Sequence, residues 1–296
     1  MFSGGFGPSR ESAAGGSRRV PGGVDAIDAI VAASPNLRTD SASGDGKVRK
    51  FPGVRPGRSD VPGAVPVDLH RLGNSGSMEP GSYFTALAAC AVRGTRPDAP
   101  VGLGDTRLCE WGIAEGLRLH HFKRKIALPR VERALGALAQ LRPATLLDIG
   151  SGRGTFLWPL LDRFETLSVT VVEPDAERAR QLSAVAAGGM ERLEVLPTRA
   201  EMLTAQPWHL RRWEVATILE VLEHVEDPET LAKAVVGSAT SAVIASVPST
   251  PDENPGHVRL FTQQTLRGLL LEAGASRVSI TQVPNHLVAV ATGLRS

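Results

Sequence analysis

The chain has 296 residues, and its 33 Lys and Arg nearly balance 31 Asp and Glu, for a formal net charge of +2. This balance provides no bulk attraction to nucleic acid or to a membrane surface. Two cysteines, Cys90 and Cys109, cannot build a disulfide framework, and no apolar run approaches the ~18 residues of a membrane span. The first residues also lack a basic start followed by an apolar stretch. These features exclude membrane-spanning and disulfide-rich secreted proteins and favour the cytoplasm.

The N-terminal region differs from the rest in composition. Residues 1–100 contain 16 Gly and 10 Pro, whereas the following 196 residues contain 15 and 11. Such a segment buries too little apolar surface to offset its ordering entropy, so residues 1–100 are predicted to be a largely disordered extension. Residues 24–33 and 82–92 are exceptions: the first could form a short helix, and the second could pack on the next domain. Because every later motif follows Met78, residues 1–77 are either a natural extension or dispensable.

From residue 105 onward, helical and strand patterns alternate. Residues 101–142 are predicted to be helical, with helices over 106–126 and 129–141. Buried strands and helices then alternate, and a hairpin over 277–292 reverses the last strand. Residues 143–296 are therefore predicted to form an α/β, Rossmann-like core: a seven-stranded, mostly parallel sheet with an antiparallel last strand and helices on both faces.

A glycine-rich loop follows the first predicted strand. The strand ends at Asp148, and Gly150, Ser151, Gly152, Arg153 and Gly154 follow. Glycines at alternate positions let backbone amides approach a ligand closely. A dinucleotide fingerprint would place its third glycine at 155, where this chain has threonine, and no Gly-Lys-Ser/Thr follows, so NAD and P-loop sites are disfavoured.

The second predicted strand ends with an acidic residue, Glu173. Its carboxylate can accept hydrogen bonds from both hydroxyls of a ribose. Because the carboxyl ends of parallel strands lie at one edge of the sheet, Glu173 and the glycine loop are expected to form one site. The sequence therefore predicts a cofactor that contains a nucleoside.

Four segments resemble the class I S-adenosylmethionine-dependent methyltransferases: LLDIGSGRG, VTVVEPD, ILEVLEHVEDPE and GHVRLFTQQTLRGLLLEAG. The resemblance covers about residues 105–296 and implies S-adenosyl-L-methionine as cofactor. It also implies that the helices of residues 101–142 form a lid over the pocket. The residues that it assigns to cofactor binding lie at the ends of four strands: Asp148, Gly150, Ser151, Gly152, Gly154, Glu173, Ala200 and Glu220. Family members often have an acidic residue after the third strand, facing the adenine. Here Arg199 takes that place, and the amide of Ala200 or the side chain of Glu201 would replace it.

The segment after the fourth strand contains the candidate catalytic residues. Glu220, Glu223 and His224 are spaced i, i+3, i+4, so a helical turn would put them on one face. A neutral histidine has the right pKa range to remove a proton, and His224 is predicted to be the base, oriented by Glu223. Alternatively, Glu220 and His224 only cap this loop and bind the cofactor region. The histidines predicted to contact the substrate are His257, His286 and His121.

The same motif leaves a second reaction open. Glu-x-x-Glu-His with a later histidine resembles the small-RNA 3′-terminal ribose 2′-O-methyltransferases, which implies a divalent metal on Glu220, Glu223, His224 and His257. It also resembles small-molecule O-methyltransferases. The sequence favours methyl transfer to an OH or NH of a small molecule; metal-dependent RNA ribose methylation and a non-catalytic nucleoside-binding module are the alternatives. A basic segment, residues 118–125, either contacts phosphate or an acidic substrate, or is a solvated helix end.

Overall fold

The computed structural model describes residues 81–205, 210–251 and 253–295. The predictions for residues 1–80 and the irregular segment 206–209 lie outside the described residues. Among the described residues, the helices are all too short or too polar to cross a membrane.

Seven strands form one sheet in the order β3-β2-β1-β4-β5-β7-β6. Their bounds are β1 Thr145–Ile149, β2 Ser168–Val172, β3 Leu193–Leu196, β4 Trp213–Leu219, β5 Ala239–Pro248, β6 Arg277–Val283 and β7 His286–Thr292. The first five strands pair in parallel, and β7 runs antiparallel to both β5 and β6. This arrangement confirms the predicted α/β fold with a reversed last strand.

Seven α-helices cover the two faces of the sheet in the described residues. Their bounds are α1 Thr85–Thr95, α2 Asp105–Ala114, α3 Pro129–Leu141, α4 Leu157–Arg163, α5 Ala176–Ala187, α6 Pro228–Ser238 and α7 Gln263–Glu272. Leucines of α1 to α5 belong to one core on one face, and those of α6 and α7 to a second core on the other. Side chains of one strand alternate between the two cores: Leu146 belongs to the first and Leu147 to the second.

The helix ends follow from local chemistry. Asp175 accepts a hydrogen bond from the backbone amide of Arg178 at the start of α5, and Asp227 does the same for Thr230 at the start of α6. Thr262 and Thr265 form a capping box at α7. These caps define the residue at which each helix begins. They therefore also define where the preceding loop at the carboxyl edge of the sheet ends.

Two predicted boundaries need correction. The fold begins before residue 101, because the apolar stretch 82–92, which the sequence predicted could pack on the next domain, contributes to helix α1, where Leu87, Ala88, Ala89 and Ala91 are buried. Residues 106–126 form two elements instead of one helix. Helix α2 ends at Ala114, Gly116 has a φ of +86°, and a 3-10 helix follows at His120–Phe122. The left-handed backbone at Gly116 is incompatible with a continuous helix.

Helix α1 packs against α5 with their backbones in contact. A Cβ placed on Gly94 would lie 1.9 Å from the carbonyl oxygen of Ala184, and one on Gly188 would lie 1.7 Å from that of Cys90. No side chain separates the two helices at these positions, so this close approach requires glycine on both.

Replacing Gly94 by alanine should therefore destabilise the fold by about 1–3 kcal/mol, the usual cost of overpacking. The same substitution at Gly136, within α3 and with no atom within 4 Å of the added Cβ, should stabilise it by up to about 1 kcal/mol through helix propensity. Chemical denaturation of the two variants measures both effects. A Gly94→Ala variant as stable as the wild type would show that α1 does not pack against α5 in this way.

Candidate functional site

The site lies where the strand order reverses, between β1 and β4. From β1 the chain builds the sheet outward through β2 and β3, then returns to β4 on the other side. Ligands of such sheets bind in the crevice at the carboxyl ends of these strands. The two loops approach closely here, since a Cβ on Gly150 would lie 2.7 Å from Cγ2 of Val221.

The glycine loop adopts a conformation that side chains disfavour. The φ angles of Gly150, Gly152 and Gly154 are +70°, +56° and +80°. A Cβ on Gly154 would overlap the indole of Trp158, whereas one on Gly152 would have only the oxygen of Gly150 near it, at 3.8 Å. The loop therefore packs tightly beside Trp158 and leaves open space above Gly152.

Glu173 is connected directly to this loop. The amide of Gly152 donates to Oε2 of Glu173 at 2.8 Å, and the amide of Asp175 donates to Oε1 at 3.1 Å. The side chain is buried, and among the described residues no Lys or Arg forms an ion pair with it. The structure thus brings together the two features on which the nucleoside prediction depends.

Asp148 lies beneath the loop and holds it to β4. Its carboxylate accepts hydrogen bonds from the hydroxyl of Ser151 and, at 2.7 Å, from that of Thr217. Burial raises the pKa of Asp148 to about 6, and the two hydroxyls oppose that rise. These two hydrogen bonds connect the glycine loop to β4 through Asp148.

The adenine end of the predicted site follows β3. Ala200 is buried and begins a 3-10 helix, Ala200–Thr204, at the same edge of the sheet as Glu173. The side chain of Arg199 is 72% exposed and lies 3.6 Å from the carboxylate of Glu201. Arg199 therefore points toward solvent and Glu201.

Glu220 does not share a face with Glu223 and His224. Its φ is +58°, and the 3-10 helix that follows spans only Leu222–His224. The left-handed residue turns the chain, so the helical spacing assumed from the sequence does not apply. Glu220 instead accepts from the hydroxyl of Ser246 at 2.7 Å and forms ion pairs with Arg130 and His286.

This ionic group also defines the position of His286. Nε2 of His286 lies 2.9 Å from Oε2 of Glu220, and its Nδ1 lies 3.0 Å from the carbonyl oxygen of Pro284. Both ring nitrogens thus lie within hydrogen-bonding distance of oxygen atoms of the protein. His286 is therefore better suited to linking the strand ends than to proton abstraction.

Glu223, His224 and His257 form a second group. One ligand-type atom from each lies within 4.8 Å of the others, and the two imidazole centroids are 4.6 Å apart. The amide of Val258 donates to the carbonyl of Glu223 at 2.9 Å, which fixes the downstream loop against the 3-10 helix. Glu223 is only 1% exposed, while His224 is exposed.

The hydrogen bond of His224 determines which nitrogen is available. Its Nδ1 lies 2.8 Å from the carbonyl oxygen of Gly256. A carbonyl only accepts, so Nδ1 carries the proton and Nε2 of the neutral ring carries the lone pair. The geometry leaves one basic nitrogen beside a buried carboxylate.

His121 lies elsewhere, on the far side of the glycine loop. It belongs to the 3-10 helix His120–Phe122, and its ring is 6.4 Å from that of Trp158. Burial, with smaller contributions from His120 and Arg153, lowers its pKa to about 4, so the ring is neutral at physiological pH. His121, His224 and His286 thus occupy three separate surroundings instead of the rim of one pocket.

Several residues of the site have no local sequence signal. Arg130, Ser246 and Thr217 contact Glu220 or Asp148 from other elements. Arg130 follows Pro129 at a helix start, where the sequence indicates only a helix. The sequence signal for the group around His224 and His257 is the Asn-Pro-Gly-His loop at 254–257. This loop brings His257 and the carbonyl group of Gly256 into one turn.

Residues 119–239 match a family model described as a methyltransferase domain. The match covers 121 of the 296 residues and, with the strand order and the glycine loop, is consistent with a class I S-adenosylmethionine-dependent methyltransferase. The domain includes the sheet from β1 to β4, the glycine loop, Glu173 and the Glu223-His224 pair. A search of curated proteins gives no match.

A comparison with solved structures gives matches of low sequence identity. The N-terminal domain of EvdMO1 with SAH bound is 15% identical, with a TM-score of 0.44 over 58% of this chain and 83% of that one. The methyltransferase domain of a bacterial CtHen1 is 17% identical, with a TM-score of 0.47 over 55% and 97%. A putative O-methyltransferase from Nostoc punctiforme is 13% identical, with a TM-score of 0.46 over 70% and 72%.

Proposed function

We propose that the protein transfers a methyl group from S-adenosyl-L-methionine to an OH or NH of a small-molecule acceptor in the crevice between β1 and β4. The observation that carries this proposal is the hydrogen bond from the amide of Gly152 to the carboxylate of Glu173, which joins the glycine loop and the acidic strand end in one cradle.

The cradle fits a sulfonium nucleoside. A carboxylate has about four lone-pair sites, and backbone amides take two on Glu173, so two are available for ribose hydroxyls. The open space above Gly152 lets the backbone approach the methionine portion. Ala200 follows the next strand, where the adenine of such a nucleoside would lie.

The chemistry that remains for the protein is proton removal and alignment. S-adenosyl-L-methionine supplies an activated methyl group when bound. Nε2 of His224 is placed to take the proton from the acceptor, and Gly256 holds the ring in the required tautomer. The carboxylate of Glu223 then stabilises the imidazolium that forms.

A small-molecule acceptor is supported by size and charge. A cavity of about 410 Å³ adjoins the glycine loop, within the usual range for small-molecule sites. The net charge of +2 offers no bulk attraction for RNA. Both cysteines are unpaired and buried, which supports the cytoplasm as the proposed location.

The metal-dependent RNA alternative has less support. It requires Glu220, Glu223, His224 and His257 around one ion, and the structure brings together the last three. Two imidazoles and one carboxylate suit a divalent transition metal. Glu220 is instead engaged by Arg130, His286 and Ser246.

The non-catalytic alternative rested on Arg199, which points away from the crevice.

Isothermal calorimetry with S-adenosyl-L-methionine tests the cofactor part of the proposal. The wild type should bind, and Gly152→Asp should weaken binding roughly tenfold or more, because its carboxylate would face the methionine carboxylate across a short distance. Gly104→Asp is the matched control, since it adds the same side chain in open space at the N-cap of α2. Equal affinity in all three proteins would contradict the placement of the cofactor on this loop.

A further inference from the structure

We propose that the acceptor is an amphipathic organic anion, an aromatic or aliphatic acid, and that the cavity beside the glycine loop binds it. Its apolar body would lie on Phe84 and Trp158, and its acid group would pair with Lys123, Lys125 and Arg153. The acceptor role of this ligand rests on the proposed function, whereas the anion site itself stands on the cavity.

The cavity lies between three parts of the chain. Segment 120–128 forms one wall, the first half of α3 forms the second, and α4 forms the third. Arg153 and Gly154 complete it, so the cavity borders the loop that would hold the methyl donor. A ligand bound there would lie beside that donor, and its OH or NH would extend past the loop into the crevice to reach His224, which does not line the cavity.

The inner surface of the cavity is apolar and aromatic. Phe84, Val131, Leu135 and Trp158 line it and are all buried in the described fold. The rings of Phe122 and Trp158 are 4.8 Å apart, which holds the indole in place. Such a rigid aromatic surface favours a ligand whose body is flat or apolar.

The mouth of the cavity has a surplus of positive charge. Five cationic side chains and two acidic ones line it: Lys123, Arg124, Lys125, Arg153, Arg163, Glu132 and Asp162.

Both acidic side chains already form ion pairs with arginines that line the cavity. Arg124 forms two hydrogen bonds of 3.0 Å with Asp162, and Arg163 lies 3.6 Å from Glu132. Three exposed cations remain: Lys123, Lys125 and Arg153. Among the described residues, no carboxylate lies within ion-pairing distance of them. Three uncompensated cations around an apolar cavity are suited to an amphipathic anion.

His121 adds a polar group at the same place. It lines the cavity next to Arg153, and burial, with smaller contributions from His120 and Arg153, lowers its pKa to about 4, so the ring is neutral. A neutral imidazole can hydrogen-bond the acid group or a neighbouring hydroxyl without adding charge. The sequence prediction that His121 contacts substrate fits this position.

Two fluorescent probes of matched shape test the charge preference: 8-anilinonaphthalene-1-sulfonate, an anion, and N-phenyl-1-naphthylamine, which is neutral. Titrations use the full chain saturated with S-adenosylhomocysteine. We expect the anion to bind more tightly, and the double variant Lys123→Gln/Lys125→Gln to weaken it about tenfold, a typical effect of two exposed charges. Binding of the neutral probe should be unchanged. Lys233→Gln, which removes an exposed lysine of α6, is the control and should alter neither.

A second readout follows the histidine. On binding of the anionic probe, the pKa of His121 measured by NMR should rise from about 4, because a nearby anion favours the protonated ring. An unchanged pKa would place the probe outside this cavity and would overturn the inference.

Other outcomes separate this inference from the proposed function. If both probes bind equally, or if S-adenosylhomocysteine displaces the anionic probe competitively, the cavity is not an acceptor site for anions, and the proposed function still stands. If calorimetry detects no S-adenosylhomocysteine binding, the proposed function fails, and with it the acceptor role, whatever the probes do.

Discussion

Replacing His224 by alanine is expected to lower the rate of methyl transfer by ~10²–10⁴ and to leave the affinity for S-adenosyl-L-methionine within about twofold. The loss follows from the hydrogen bond between Nδ1 of His224 and Gly256, which leaves Nε2 as the ring nitrogen that can accept a proton. Transfer to a mixture of acceptors extracted from cells, followed with labelled methyl groups, measures the rate, and calorimetry measures the affinity.

His224→Asn distinguishes the base from a residue that only caps the loop. The asparagine amide can still donate to the Gly256 carbonyl, but it has no basic nitrogen. A base is lost in both variants, so both should be equally inactive. Full activity in His224→Asn together with low activity in His224→Ala would assign His224 to loop capping.

The same assay tests the metal. If His224 acts as a base, a chelator should leave the rate unchanged. If Glu223, His224 and His257 hold a cation, the chelator should abolish activity, and an added divalent ion should restore it. The second result, with RNA bearing a free 3′ ribose as the methylated fraction, would favour the RNA alternative.

Features that depend on local sequence were predictable. The strands are short apolar runs between turn residues, and the glycine loop follows directly after one of them. Glu173 could be placed because parallel strands end at the same edge of the sheet, whatever their order. The hydrogen bond between Glu173 and Gly152 is a direct consequence of that topology.

The arrangement around Glu220 was not predictable in the same way. The spacing of Glu220, Glu223 and His224 favours one helical face, but the positive φ of Glu220 turns its side chain toward β5 and β7. Nothing local signals this turn, because glutamate is uncommon in that conformation. Its partners, Arg130 and His286, lie 90 positions before and 66 after it in the sequence.

Loss of the carboxylate at Glu173 should have the second large effect. Glu173→Gln keeps the shape of the side chain, but its amide nitrogen cannot accept a hydrogen bond. The substitution would remove one of the two oxygens that accept hydrogen bonds from backbone amides. It would also remove a contact to the ribose. Hydrogen bonds to a charged group contribute ~1.5–3 kcal/mol, so the affinity for S-adenosyl-L-methionine should fall by roughly 10- to 100-fold.

The effect must be separated from damage to the loop, since Glu173 also holds the amide of Gly152. Ribose recognition and loop positioning predict different ligand dependence. Adenosine and S-adenosyl-L-methionine should lose similar affinity if the carboxylate binds the ribose, whereas only the latter should suffer if the loop alone moves. Glu272→Gln, at an exposed position ending α7, is the control for removal of one negative charge. Unchanged affinity for both ligands in Glu173→Gln would remove the ribose contact from the site and leave the glycine loop as its sole support.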